Sequence, residues 1–597
     1  MNTRGCVCRG SCRFIFIAIL FSVCILTVFN GCSGGTPLSS VPSSVVPPPA
    51  PPPVPPPSPA PSYTASAATL NLGSLKAGES SSIVITITPA NGYAGTVTLS
   101  CSIITNVSAT PTCSLTPNPV TVTAGAAATS TLTLSTSADT PGGSYAISIA
   151  ADDQKDLPAS NGPQSLTLTT LAVIQHVVVI FQENRTPDNL FQDPILISRG
   201  ADIATGGLNS HGETIPLTPV DLGTAGPSPG NFSPGHTHAD FIAMYDSGKM
   251  DGADRIECGP AANCPANPQF TYVTAADVQP YFALAEQYTF GDRMFQTNQG
   301  PSFPAHQFIL SGTSAPDASS GAFVSENPLQ DPAGCTAGAT NKVMLLNPNG
   351  TWAYQYPCFE HPTLTDLLSN AGVTWRYYTL NAGSIWTAPN AIDHMCQSQT
   401  ISGVLTCTGP DWINNVVIPS TRVLQDVANG ELAEVTWIIP DGAYSDHGIA
   451  NDGSGPSWVA SIVNAIGNSP YWANTAIIIT WDDWGGWYDH VAPKVINDGV
   501  SWGSGYVYGF RVPLIVVSPY AKAQYISHAS HDFGSVLKFI ETTFNLPSLN
   551  YADAPADDLS DCFVMTQSPL SFHAIAAPLG PERFLQDKRP PSDPDDD

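Results

Sequence analysis

Positive charge is what this 597-residue chain has least of: 20 Lys and Arg stand against 48 Asp and Glu, a formal charge of −28. Such a field repels polyanions, so binding along a nucleic-acid backbone is excluded as a general function and no nucleic-acid partner is expected. Long apolar runs are lacking after Phe29, which excludes a bundle of membrane-spanning helices in the rest of the chain. The turn Gly300-Pro301-Ser302-Phe303-Pro304 lacks the Gly-x-Ser-x-Gly pattern of α/β-hydrolases. No Cys-x-x-Cys with a matching partner is present, which argues against a structural zinc site.

What is there begins with a leader. Arg4, Arg9 and Arg13 precede the apolar run Phe14–Phe29, so residues 1–32 read as a secretory signal. Small residues lead into Cys32 as at a lipoprotein processing site, although Phe29 and Asn30 depart from that pattern. Lipidation at Cys32, a free secreted form and a retained membrane anchor are the three outcomes. The expected location is outside the cytosol, secreted or attached to the cell envelope. Cysteines beyond the leader come in close pairs, Cys101/Cys113, Cys258/Cys264, Cys335/Cys358 and Cys396/Cys407, with Cys562 left over. In an exported chain such pairs are expected to close as disulfides.

Composition then divides the chain. Residues 33–62 form a proline-rich linker, a semi-rigid spacer with no capacity for a core. In 63–171, Ile83/Ile85/Ile87, Val97/Leu99/Cys101, Leu132/Leu134 and Tyr145/Ile147/Ile149 alternate with Thr, Ser and small residues, between Pro, Gly and Asn clusters. That period of two predicts an all-β immunoglobulin-like sandwich. In 172–550 the pattern changes to buried-strand runs, Val177–Phe181, Val435–Ile439, Ala476–Thr480 and Pro513–Val517. They alternate with helical patterns at Pro280–Gln287, Thr363–Ala371, Ser457–Ile466 and Phe533–Phe544. This predicts an α/β layered domain around a largely parallel sheet. Residues 551–597 read as an irregular C-terminal tail.

Three of the buried runs end in carboxylates. Val177–Phe181 runs into Gln182-Glu183-Asn184-Arg185, Val435–Ile439 into Asp441 and then Asp446-His447, and Ala476–Thr480 into Asp482-Asp483 and then Asp489-His490. Strand ends of a parallel sheet converge on one edge, where ligands collect. Clustered carboxylates repel unless a cation neutralises them, so a divalent metal ion on hard oxygen ligands is expected there, calcium- or magnesium-like, with others open. Gly300-Pro301-Ser302 places a hydroxyl in a constrained turn, a candidate nucleophile. Trp481, Trp484, Trp487 and Tyr488 fit either an apolar rim near the site or core packing.

Gln182-Glu183-Asn184-Arg185-Thr186-Pro187-Asp188 resembles the Gln-Glu-Asn-Arg-Ser-Phe-Asp signature of the bacterial non-specific phospholipase C and acid phosphatase family, which also has plant members. Gly300-Pro301-Ser302 with Pro304 resembles its nucleophile turn, and Asp482-Asp483 through Asp489-His490-Val491 its acidic block. Gly509–Pro519 and His531–Glu541 resemble later segments. The resemblance implies a fold similar to alkaline phosphatase, with Ser302 as nucleophile and Glu183, Asn184, Asp482 and Asp483 as metal ligands. It further implies active-site roles for His236, for which His238 is a possible substitute, and for His447 and His361. Thr186-Pro187 replaces Ser-Phe, Asp483 stands where Glu is usual, and Ala305-His306 replaces Asn-Arg.

The expected function is therefore a metal-assisted phosphoesterase working through a Ser302 phospho-enzyme, phospholipase C-like on phospholipid head groups. An acid phosphatase acting on small phosphomonoesters is the alternative within the class. A cell-surface adhesin with a degenerate catalytic domain is the alternative outside it, and the intact set of Glu183, Asn184, Ser302, Asp482 and Asp483 argues against decay. An N-terminal anchor would add association with a membrane or cell envelope.

Overall fold

The computed structural model describes residues 58–592, except 105–109, 138–139, 141, 154, 156, 172, 224–231, 260–263, 450 and 497–505. The leader, Cys32, most of the proline-rich linker and the last five residues lie outside the described residues. No helix among the described residues is long and apolar enough to cross a membrane.

The Thr- and Ser-rich alternation folds as two sheets around one core. The first runs in the order Ser62–Ala67, Ser80–Ala90, Ala128–Ser135, Thr112–Thr116. The second runs Asn71–Lys76, Gln164–Leu171, Gly143–Asp153, Gly95–Ile104, Val120–Val122. Ile85, Ile87, Val97, Leu99, Leu132, Leu134, Tyr145, Ile147 and Ile149 all point inward, as strict alternation requires. Cys101 and Cys113 belong to different sheets, and their disulfide staples the two layers with Cα atoms 6.3 Å apart.

The second region is built on an eight-stranded sheet. In chain order its strands are β1 (His176–Gln182), β2 (Thr289–Gly291), β3 (Trp375–Tyr378), β4 (Val416–Val417), β5 (Val435–Ile438), β6 (Thr475–Trp481), β7 (Leu514–Val517) and β8 (Tyr525–Ser527). Their spatial order is β4-β3-β5-β1-β6-β7-β2-β8. All pairings are parallel except those of β7, which runs against both β6 and β2. β1 lies at the centre, and Val177 through Phe181 are fully buried, as a strand covered on both faces demands.

Six helices matter for the core: α1 (Ala275–Gln287), α2 (Ser302–Ser311), α3 (Leu364–Ala371), α4 (Arg422–Asn429), α5 (Gly455–Gly467) and α6 (Phe533–Phe544). α5 packs against α1 and α4, while α2 packs against α6 and α3. α1 begins five residues before the predicted start at Pro280, because burial of Val278, Tyr281 and Phe282 outweighs the lost proline donor. Among the described residues beyond 550, helical structure is confined to the short segments Ser560–Cys562 and Pro581–Leu585. Even so, Leu559, Cys562, Phe563, Ile575 and Phe584 join the same hydrophobic core, so this stretch is packed although irregular. Cys258–Cys264, Cys335–Cys358 and Cys396–Cys407 form the expected disulfides, with Cα separations of 6.3, 4.5 and 4.4 Å, and Cys562 is a buried free thiol.

Candidate active site

β5, β1 and β6 are neighbours, so their carboxyl ends bring the three polar segments to one edge. Leaving β1, the chain turns sharply at Asn184, whose φ of 59° lies in the left-handed region that non-glycine residues rarely occupy. Two contacts hold that turn. The Asn184 N–H donates to Asp482 Oδ1 at 2.9 Å, and its carbonyl accepts from Trp487 Nε1 at 2.9 Å. The loop after β6 reaches it only because residue 485 is glycine: a Cβ there would sit 2.6 Å from Asn184 Cβ, at a φ of 61°.

Ser302 opens α2 in its first turn, fully buried. Its Oγ lies 3.2 Å from Asp483 Oδ2 and 3.5 Å from Asn184 Oδ1, and donates toward both. The turn before it is braced by Gln296 and Asn298, whose side-chain amides donate to the Gly300 carbonyl at 3.0 and 2.9 Å. The positive end of the helix favours an anion at this spot, although the Phe303 N–H is taken by Asn327 Oδ1 at 3.0 Å and Pro304 has none. The residue types thus produce a fixed hydroxyl beside a carboxylate at a site suited to phosphate.

His236 stands on the other side of Asn184. Its Nδ1 lies 3.2 Å from the Pro234 carbonyl, an obligate acceptor, so Nδ1 carries the proton. Nε2 then accepts from Asn184 Nδ2 at 3.0 Å, which turns Asn184 Oδ1 toward Ser302. The His447 ring lies 6.0 Å from that of His236 and is anchored through Nδ1 against the Ile449 backbone. His236, Thr237, Pro301, Glu326, Asn327, Leu329, Asp331 and Ile385 line a cavity of about 540 Å³ beside the nucleophile turn. Burial pushes the Glu326 carboxyl up to about 7.

The expected ligands fall into two adjacent groups. Asn184 and Asp483 face Ser302, while Glu183 and Asp482 face inward toward His306, one helical turn beyond Ser302. His306 Nε2 lies 3.2 Å from Glu183 Oε1 and 4.0 Å from Asp482 Oδ2, all three residues being fully buried. Asp482 Oδ2 has no hydrogen-bond partner. A buried carboxylate oxygen without a donor is costly, and a divalent cation would satisfy it, so the donor set fits a metal ion. From sequence His306 was named only as a departure from the motif and not as a ligand, although its spacing of four from Ser302 on a helix places both on one face.

Other expected residues lie elsewhere. His361 contacts Pro362 and Tyr551, and none of its contacts reaches the Ser302 group. His238 binds the Gln299 carbonyl at 2.8 Å, next to the Gly300-Pro301-Ser302 turn. Asp489 and His490 do not join the cluster. Arg511 holds Asp489 with Nε 3.0 Å from both of its carboxylate oxygens and reaches Asp188 at 3.2 Å. His490 bridges Asp188 and Asp202 at 2.7 and 2.9 Å. Trp481, Trp484, Trp487 and Tyr488 are buried, so they pack the core and form no rim.

A largely parallel α/β sheet with carboxylates, a helix-borne serine and histidines at the carboxyl edge defines a class of hydrolytic fold and site. The chain belongs to the Phosphoesterase family, whose profile matches residues 174–547. It is 25% identical over 440 residues to a hemolytic phospholipase C of Pseudomonas aeruginosa, covering 66% of this chain and 56% of that protein. Phospholipase C B of Mycobacterium tuberculosis is 25% identical over 447 residues, 67% of this chain and 79% of that protein. Non-specific phospholipase C6 of Arabidopsis thaliana is 25% identical over 338 residues, 52% of this chain and 56% of that protein. The chain thus spans little more than half the length of the first of these relatives.

Proposed function

We propose that the protein is an exported, metal-assisted phosphoesterase that cleaves phospholipid head groups through a Ser302 phospho-enzyme. The observation that carries this reading is the Ser302 hydroxyl, held at a helix N-terminus between Asp483 and Asn184 and beside a cavity bordered by His236. Ser302 Oγ attacks phosphorus, its proton passes to Asp483 Oδ2, and the bond from phosphorus to the leaving alcohol breaks. His447 protonates the departing oxygen, and water then resolves the phosphoserine. A bound divalent ion supplies charge neutralisation at the phosphoryl oxygens. His236 fixes Asn184 through Nε2, and the positive end of α2 offsets charge on the anionic oxygens. The layering of helices on the sheet is read as alkaline-phosphatase-like, and the N-terminal pair of sheets as immunoglobulin-like.

A lipid substrate is favoured over a small phosphomonoester by the surface next to the cavity. Leu329 on its rim is 69% exposed, and Trp352 and Tyr354 on one neighbouring strand are 47% and 61% exposed. Trp352 packs 5.5 Å from His238, whose N–H is bound by Glu326 of the cavity wall. Large apolar groups in that position suit a lipid interface better than water. The test is brief incubation of the full chain with phosphatidylcholine or p-nitrophenyl phosphate, followed by acid quench and intact-mass measurement. A phosphodiester remnant on wild type, absent from Ser302→Ala, supports the reading. An adduct from the monoester alone shifts the assignment to a phosphatase, and no adduct or turnover with either substrate sinks it.

A further inference from the structure

We propose that His306 is itself a ligand of the metal ion, so that the seat is a mixed nitrogen and oxygen site selective for a borderline transition ion. Three observations carry this. His306 Nε2, Glu183 Oε1 and a carboxylate oxygen of Asp482 lie within 4.8 Å of one another, and all three residues are buried. Donor atoms each about 2.0–2.2 Å from one ion are about 3–4 Å apart, which is the spread of the 3.2 and 4.0 Å separations seen here. Asp482 Oδ2 has no hydrogen-bond partner, while Oδ1 is used by the Asn184 N–H, so the unpartnered oxygen is the one turned to the imidazole. The ring is also held edge and face: Phe181 packs 5.5 Å away, and Trp386 stacks at 6.4 Å and 20°. A side chain kept in one orientation by packing is what a ligand needs.

The chemistry of the substitution points the same way. An arginine at 306, as in the motif this segment resembles, would set a permanent cation against Glu183 and Asp482. Histidine there offers a neutral lone pair instead. Imidazole suits zinc, copper, iron or nickel, whereas calcium, magnesium and manganese prefer oxygen. This inference rests on the proposed function only in placing the ion at this edge.

The direct test is pulsed EPR of the full chain, stripped with chelator and loaded with vanadyl ion. Directly bound imidazole nitrogen gives a coupling that should be present in wild type, lost in His306→Gln and kept in His236→Gln. Loss of an outer partner of a ligand already costs about 10–100-fold in affinity, so His306→Gln should weaken cobalt binding by about 100-fold or more. Dialysis of wild type against equimolar magnesium, calcium, manganese and zinc needs no variant and should retain zinc. Retention of calcium, magnesium or manganese, a wild-type spectrum without nitrogen coupling, or a coupling that survives His306→Gln overturns the proposal. A protein that binds the ion through nitrogen yet forms no Ser302 adduct sinks the proposed function and leaves this inference standing.

Discussion

The two sheet regions bury different things. Between the N-terminal sheets the buried polar residues are Ser130, Thr136, Thr140 and Thr170, with no buried charge among the described residues. At the edge of the eight-stranded sheet, Glu183, Arg185, Asp188, Asp446, Asp482, Asp483, Asp489 and Arg511 are all buried. A sandwich core needs only apolar faces to fold. Interior carboxylates cost several kcal/mol each unless something neutralises them, so their concentration marks where the fold gives up stability for chemistry. The charged interior itself divides. Asp188 and Asp489 are neutralised by Arg511 and His490, and Asp482 has no ion pair with Lys or Arg.

The sharpest way to break this contrast is Ser302→Ala. Turnover should fall by several powers of ten, while folding and ion content stay near wild type, because no metal-facing carboxylate is touched. Steady-state kinetics with a thermal melt check both halves. Next in size, Arg511→Met strands Asp188 and Asp489 and should cost about 3–5 kcal/mol in denaturant unfolding. Leu132→Ala in the N-terminal sheets should cost roughly 3 kcal/mol through its cavity, with turnover per folded molecule unchanged. An equal loss of turnover would show that the two regions work as one.

Asp482→Asn reverses the usual sign. Without an ion the variant should melt no lower than wild type, since a buried charge is gone. Wild type alone should then gain about 2.7 kcal/mol at an ion concentration 100 times its dissociation constant. The smallest effect is a pH dependence. Burial opposes charge on His490, yet the Asp188 hydrogen bond and charge outweigh it and raise the imidazole from 6.5 to about 9. Its contribution is full below pH 6.5 and is lost as pH rises toward 9, and His490→Asn should flatten that slope in melts across the range.

Much of this was legible in the sequence where one local rule dominated. Val177–Phe181 and Ala476–Thr480 read as buried strands because both faces are apolar. The four close cysteine pairs were identifiable from their spacing once export was expected. Thr289–Gly291, Trp375–Tyr378 and Tyr525–Ser527 carry too few residues for a period to show, and only their neighbours make them strands. His306 was missed because its meaning depends on α2 starting at Ser302. The Arg511 clamp was missed because its partners are 22 and 323 residues away. Asp489 and His490 look like ligands in a motif, but Asp489 pairs with Arg511 and His490 with Asp188, partners that only the fold brings near.

The central strand is the first of the eight to be synthesised and waits through the longest stretch of chain for both of its neighbours, β5 and β6. From His176 to the Ala433 carbonyl it meets is 257 residues, and from Asn184 to Asp482 is 298. Until those partners exist, Val177–Phe181 is an uncovered β-branched segment, the kind that pairs with copies of itself. A nascent chain therefore carries this adhesive stretch exposed while some 298 further residues are made. Recombinant yield should accordingly respond to holding chaperones and to slower synthesis more than to mutations that raise the melting temperature.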